Sequence, residues 1–490
     1  MSPVGSLRRF LPLVLLASLL IAGVSGCSSA GGGSIAVQLV YPAPPAAAAP
    51  GAVAPAAAPR APNYATHPSN RILIRVLAPH FAPIEAWFNR SDGSGVIGGV
   101  PPGTRITVEV DEYDNTALTL GLGTNAPLLG RGWFNGITLT AGETKVVPVA
   151  MYAKGTIVTV CGAPASGGSG TPGDTGDGGL DNEARLGNPT AVKAGPDDAI
   201  YVSSSAFRKV KRIDRYGYVS NFAGDGTHGT ITPGTPAESA PIGAVSDIDI
   251  DPAGNLYLFN DWNQIVRVDN GVVNKFVYDN GVENSAARFN LAVVNVDLVY
   301  FVNYLDRRIY RVDDTMKSYY VTDTLPYDTT EPFSRFNYPL RAPSSIAYAS
   351  MSDSLIFADT DNDRIMRLSF ADLSIYYLVA NAGGTRFSEG IDPLAMAPSR
   401  PRVVDYNPIT GKIFFVEAGL NTSRVLYIDA LGKVRVLAGT GALGFSGDAG
   451  PATLAGLNDP RAIAVDSRGN AYIADYGNHA IRMVVGGALP

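Results

Sequence analysis

From about residue 70 onward the chain is built of short runs in which apolar and polar residues alternate. Gly, Pro, Asp or Asn breaks these runs every few positions. Arg105-Ile-Thr-Val-Glu-Val110 and Ile248-Asp-Ile-Asp251 are examples. Alternation at period two predicts half-buried strands, and the breaks predict tight turns. No stretch in this region carries the 3.6-residue periodicity of a long helix. The N-terminus differs. Phe10 to Val24 is an apolar run of fifteen residues behind Arg8-Arg9. It is shorter than the roughly 20 residues a membrane span needs, and it suits a signal-peptide core.

The strand pattern repeats. The last copy reads Pro460-Arg-Ala-Ile-Ala-Val-Asp466, Ser-Arg-Gly-Asn470, Ala-Tyr-Ile-Ala-Asp475, Tyr-Gly-Asn-His479, Ala-Ile-Arg-Met-Val-Val485. Earlier copies keep Pro252-Ala-Gly-Asn255 with Leu256-Tyr-Leu-Phe259, and Leu355-Ile-Phe-Ala-Asp359 with Arg364-Ile-Met-Arg-Leu368. Aligned on one position of the second strand, the copies place Tyr201, Tyr257, Tyr300, Ile356, Phe414 and Tyr472 in register, at intervals of 43 to 58 residues. Six units of three or four strands predict an all-β fold, a six-bladed β-propeller over 154–490. The last unit supplies only three strands, and an orphan run, Thr156-Ile-Val-Thr-Val160, precedes the first. Pairing the two would close the ring and remove an exposed edge.

The string Pro…Ala-Val-Asp…Gly-Asn…Tyr-Ile-Ala-Asp…Asn-His…Ile-Arg resembles the NHL repeat. The preceding Ala438-Gly-Thr-Gly-Ala-Leu-Gly-Phe-Ser-Gly-Asp-Ala-Gly-Pro-Ala452 is similar to linkers of bacterial members. At the other end, Val24-Ser25-Gly26-Cys27 resembles the lipobox of bacterial lipoproteins. That resemblance implies removal of a signal peptide, 1–26, and acylation of Cys27. Ser28, where an aspartate would imply retention at the inner membrane, points to the outer membrane. Residues 27–69 then read as a lipidated Cys and a Gly/Pro/Ala-rich tether, since nineteen of the 25 residues from Tyr41 to Ala65 are Pro or Ala. Pro at this density favours extended chain. Within that stretch Ile35-Ala-Val-Gln-Leu-Val40 reads as a strand without a partner. The segment 70–153 resembles small immunoglobulin-like or transthyretin-like sandwiches, which act as spacers.

Composition narrows the function. There are 44 acidic and 38 basic side chains, for a net charge of −6. A mildly acidic chain without a basic block excludes nucleic acid as a natural partner. Two cysteines, one of them Cys27, exclude a disulfide framework and leave Cys161 as a small buried residue. Only His67, His80, His228 and His479 are present, and His479 falls on the repeat's own His position, so histidine-pair chemistry is hard to build.

Two readings follow. In the first, the propeller is a non-catalytic platform for a protein, peptide or glycan, held at the membrane through the lipid on Cys27. In the second, it is an enzyme of the six-bladed lyase or lactonase type that uses a divalent cation at the tunnel mouth. Candidate ligand contacts are Arg402 and Arg461, each following the proline that opens an inner strand, and Asp359 and Asp475, each at the end of a second strand. The alternative for the arginines is surface salt bridging, and for the aspartates inter-strand hydrogen bonding. Asp174, Asp177 and Asp181 in a Gly/Asp loop have the oxygen chemistry of a Ca²⁺ site, and equally that of an ordinary loop. The long connections between units, such as 161–188, 224–243 and 439–459, are expected to gather on one face around the tunnel mouth. Trp87, Trp133 and Phe134 read either as core or as a binding face.

Overall fold

The computed structural model describes residues 32–41, 70–92, 94–114, 127–162, 172–279, 289–313, 318–321, 333–334, 340–380, 387–419 and 422–489. The expected signal peptide, Cys27 and most of the Pro/Ala stretch lie outside the described residues.

Seven strands form the N-terminal β-domain: β1 (Gly33–Val40), β2 (Arg71–Ala78), β3 (Phe81–Asn89), β4 (Ser94–Val100), β5 (Gly103–Tyr113), β6 (Leu128–Leu139) and β7 (Thr144–Ala153). Their order is β3-β2-β5-β6-β7-β1-β4. One core unites them, with Ile35, Val37, Ile74, Val76, Val108, Ile137 and Val149 all buried. Buried and more exposed positions alternate along β1 and β7, as the period-two geometry of a strand requires.

The partner that Ile35–Val40 lacked in the sequence is therefore here. β1 runs parallel to β7, with Ser34 opposite Thr144 and Val40 opposite Ala150, and antiparallel to β4. Parallel pairing joins strands far apart in sequence and leaves no local signal. The expected tether over 27–69 is thus corrected: its first part is a strand of this domain.

The rest of the chain is a six-bladed β-propeller. The inner strands of the blades are Pro189–Ala194, Val245–Ile250, Phe289–Asn295, Pro343–Ala349, Pro401–Tyr406 and Pro460–Val465. Each packs against the next, and the sixth against the first. Their neighbours are antiparallel throughout. The orphan run is β8 (Thr156–Cys161). It pairs antiparallel with the third strand of the last blade, Ala480–Val484, placing Ile157 opposite Val484 and Cys161 opposite Ile481. The ring closes as the repeat arithmetic requires.

A recurrent turn builds the blades. In the sixth, Asp466 accepts the backbone N–H of Arg468 and Asn470, and its other oxygen takes Asn470 Nδ2 at 2.8 Å and Tyr472 OH at 3.1 Å. In the second, Asp251 does the same for Ala253, Asn255 and Tyr257. Asp and Asn favour such turns because their side chains satisfy the backbone locally.

The middle parts of the long connections pair with the outer strand of the blade they lead into. Val219 and Gly178/Gly179 exchange backbone bonds, as do Val273 and Gly234/Thr235, and Val434 and Gly390/Ile391. Gly450–Pro451 pairs with β8, and Phe333–Ser334 with Ser374–Val379. An outer strand would otherwise present unpaired backbone groups, and the connection covers that edge.

Candidate functional site

At the centre of the ring, the inner strands of blades one, two and five bring Lys193, Asp249 and Asp405 together. The Lys193 ammonium lies 2.9 Å from Asp405 and 3.5 Å from Asp249. Burial works against its charge, but Asp249 and Asp405 hold the Lys193 pKa above its ordinary value. Asp247, fully enclosed beside them, accepts the backbone N–H of Leu291 at 2.9 Å. Burial pushes its pKa up to about 7 against the opposing pull of Lys193. These are the carboxylates a tunnel cation would need, and a lysine already answers them. Among the described residues no group of three or more His, Cys, Asp or Glu side chains is placed to hold a metal ion.

Arg402 and Arg461 stand where the inner strands of blades five and six begin, and both bond Asp459. Arg402 Nη1 pairs with Oδ1, while Arg461 Nε and Nη2 reach Oδ2 at 3.0 and 2.8 Å. The Arg461 guanidinium also lies 3.2 Å from the ring centre of Tyr476. The two arginine side chains are 25% and 24% exposed, so the trio reaches solvent.

Asp359 and Asp475, by contrast, are fully buried. Asp359 accepts the backbone N–H of Arg341 at 2.7 Å, and Asp475 that of Asn458 at 2.7 Å. Glu417 does the same for Ser399. In three blades, then, an acid at the end of the second strand holds the chain that enters the inner strand. Burial raises the Asp475 pKa to about 6. Such enclosed groups serve the blade and do not reach a ligand.

The structure does not assemble Asp174, Asp177 and Asp181 into one site. Asp174 bonds Lys209 and Lys211 at 2.6 and 2.7 Å, and Asp177 bonds Lys211 at 2.7 Å. Asp181 is buried apart from them. Its pKa is pushed up to about 7 by burial, with a further rise from nearby Asp214. The Gly/Asp loop has a counterpart before the last blade, where Asp448 bonds the fully buried Arg482 at 2.9 Å. Lys211 and Arg482 hold the same place in their third strands. Gly176 and Gly447 are matched too: both take positive φ, and a Cβ there would come within 2.6 Å of Ala184 Cα and 2.8 Å of Ala455 Cα. Sequence reasoning missed this acid–cation pair, although aligning the two loops exposes it.

Two of the histidines are used structurally. His479 Nδ1 accepts the backbone N–H of Asn188 at 3.1 Å, and His228 packs edge-on against Trp262 with ring centres 4.7 Å apart. Cys161 is buried, and burial pushes its thiol pKa up. Of the three aromatics of the N-terminal β-domain, Trp133 packs on Tyr152 and against Met483 of the last blade. Trp87 and Phe134 are both 39% exposed.

The least anticipated feature is the contact between the two parts of the chain. Asp111 is buried and receives Arg131 at 2.6 Å, Arg75 at 2.7 Å and Arg468 at 3.1 Å. Burial alone would raise its pKa, but the guanidiniums of Arg468, Arg131 and Arg75 hold it well below the usual carboxylate range. Glu109 also bonds Arg468, and Arg131 bonds Asn470 at 2.7 Å. A cleft of about 600 Å³ opens beside this network, lined by Tyr113, Leu128, Arg215, Ser467 and Leu489 among others.

The fold and the recurrent blade turns define a six-bladed β-propeller with NHL-type repeat chemistry. The NHL repeat family model matches residues 457–482, the last blade. No curated protein matches the chain. Among solved structures, a structural genomics protein of unknown function from Bacteroides thetaiotaomicron VPI-5482 is similar at 13% identity over 84% of this chain and 90% of that one, with a TM-score of 0.51. An auxiliary nutrient binding protein from Bacteroides ovatus ATCC 8483 is similar at 15% identity over 84% and 93%, with a TM-score of 0.48. Virginiamycin B lyase from Staphylococcus aureus is similar at 14% identity over 60% and 94%, with a TM-score of 0.38. The likeness at these identities is one of fold.

Proposed function

We propose that this chain is a lipoprotein of the bacterial cell envelope, held through acylated Cys27 in the outer membrane, whose propeller binds a ligand without transforming it. The single observation that carries the binding reading is the Arg402–Asp459–Arg461 trio at the entry of the inner strands. Two partly exposed guanidiniums from adjacent blades converge on one carboxylate, the kind of place where an anionic group on a protein, peptide or glycan can be met by both. Tyr476 beneath Arg461 adds an aromatic surface to the same spot. The centre of the ring supports a non-catalytic role, because Lys193 already bonds Asp249 and Asp405 there. His228 and His479, committed to packing and a backbone bond, support it as well.

The test is affinity capture from envelope extracts with the full chain and with an Arg402→Ala/Arg461→Ala double variant, each with calcium and with chelator. Ligands found with the wild type are then titrated individually. We expect an acidic ligand, independent of calcium, whose affinity falls at least about tenfold in the double variant, as loss of charge-assisted bonds implies. Unchanged affinity in that variant removes the trio from the reading. Calcium-dependent turnover of a captured ligand replaces binding with catalysis.

A further inference from the structure

Five residues separate Cys27 from Gly33, the first residue of β1. Even fully extended, that stretch reaches only about 20 Å. The Pro/Ala segment contributes nothing to this reach, because it lies between β1 and β2 and both of its ends are fastened to one place. Tyr41 OH donates to Oε2 of Glu112 at 3.3 Å, and Asn70 Nδ2 donates to Oε1 of the same carboxylate at 2.9 Å. Arg90 bonds Glu112 and lies 4.2 Å from the Tyr41 ring centre, tightening the fastening. A segment that leaves and returns at one carboxylate is an insertion in the domain, not a spacer beneath it.

The direction of β1 fixes which end of the domain the anchor approaches. Ser34 donates its N–H to the Glu143 carbonyl at 2.7 Å, in the turn between β6 and β7. Gly33 pairs with Val100, just before the turn into β5. His80, in the turn between β2 and β3, abuts Gly103 at this end. Val40, Tyr41 and Asn70 lie at the opposite end, near Tyr113. The propeller cannot swing independently of this arrangement, since the Asp111–Arg468 network binds it to β5 and β6.

We propose that the anchored protein rides directly on the bilayer, with the end of the N-terminal β-domain that carries the turns at 79–80, 101–102 and 140–143 facing the lipid. The Pro/Ala segment belongs to the far end and does not set the height of the body. The partner of this end is the lipid surface that holds the acyl chains. The inference rests on acylation of Cys27.

The experiment uses the full-length acylated chain in vesicles that carry an acceptor-labelled lipid, with a donor dye on Ala141→Cys or Leu129→Cys. Cys161, buried and with its thiol pKa raised, takes no dye. We expect strong energy transfer from position 141 and at least about twofold weaker transfer from position 129. Twenty Gly/Ser residues inserted before Gly31 should lower transfer from 141 by at least about twofold. The same insertion at Ala56 should leave it unchanged, since lengthening a loop costs little stability. Equal transfer from both dyes, or equal loss from both insertions, overturns the proposal. Incorporation of an alkyne fatty acid that a Cys27→Ala control lacks is read in parallel. Its absence overturns the anchoring reading and this proposal together, whereas acylated protein with weak transfer overturns the proposal alone.

Discussion

Asp111 of β5 and Arg468 of the last blade lie 3.1 Å apart, although 357 positions separate them in the sequence. Arg75 and Arg131 complete a group of three guanidiniums around that one carboxylate. Arg75 and Arg468 keep Glu85 and Glu109, but removing the charge leaves the buried Arg131 without its carboxylate, at a cost of about 3–5 kcal/mol. Asp111→Asn should therefore loosen the two parts of the chain, and calorimetry should resolve two unfolding transitions where the wild type has one. The folded-state pKa of Asp111 is lowered, so its stabilisation is complete above the ordinary carboxylate range and is lost as pH falls below about 4. Urea midpoints between pH 2 and 7 should show that acid-sensitive component in the wild type and not in Asp111→Asn.

Ile157 is buried in β8 against the last blade, in contact with the core around Ile473 and Val484. Its truncation opens a cavity at the seam where the ring is stitched shut. Ile157→Ala should cost about 2–5 kcal/mol. Limited proteolysis should then cut first between β7 and the first blade, and a cut elsewhere would show that the seam is not the weakest joint.

Asp181 carries the opposite pH signature. Its folded-state pKa, about 7, lies above that of an unfolded aspartate. A raised value stabilises the fold at low pH, and that contribution is lost as pH rises through 7. Asp181→Asn should remove this loss, leaving the variant more stable than the wild type at pH 8 by on the order of 1–3 kcal/mol. At pH 4 the two should be close. Denaturation midpoints at both values check the sign, and a variant that is weaker at pH 8 contradicts it.

Cys161 should be inert in the native protein. It sits at the end of β8 in the core where the last blade meets the first, and burial disfavours its thiolate. A maleimide should label it only after denaturant is added, as mass spectrometry would read. Rapid labelling at neutral pH would mean that β8 detaches.

How much was legible depends on range. The blades could be read because each is specified locally: Asp466, Asn470 and Tyr472 recur as Asp251, Asn255 and Tyr257, and each set closes its own turn. The candidate site was legible only in part. Arg402 and Arg461 stood out by position, but the carboxylate they share, Asp459, did not. Asp359 and Asp475 looked like a polar ring and are in fact enclosed supports for incoming chain. Asp174 and Asp177 looked like oxygen ligands because their lysine partners Lys209 and Lys211 lie 35 and 34 positions away.

The sequence alone determined the number of blades and the need for a closing strand, because strand periodicity and turn chemistry act over a few residues and repeat. The tertiary structure decided the parallel pairing of β1, the fastening of Tyr41 and Asn70 on Glu112, the cover the connections give to outer strands, and the joint at Asp111. Each of these joins residues whose types are ordinary in isolation. A carboxylate or a guanidinium carries the same charge wherever it stands, and only the fold determines whether it meets water or a partner.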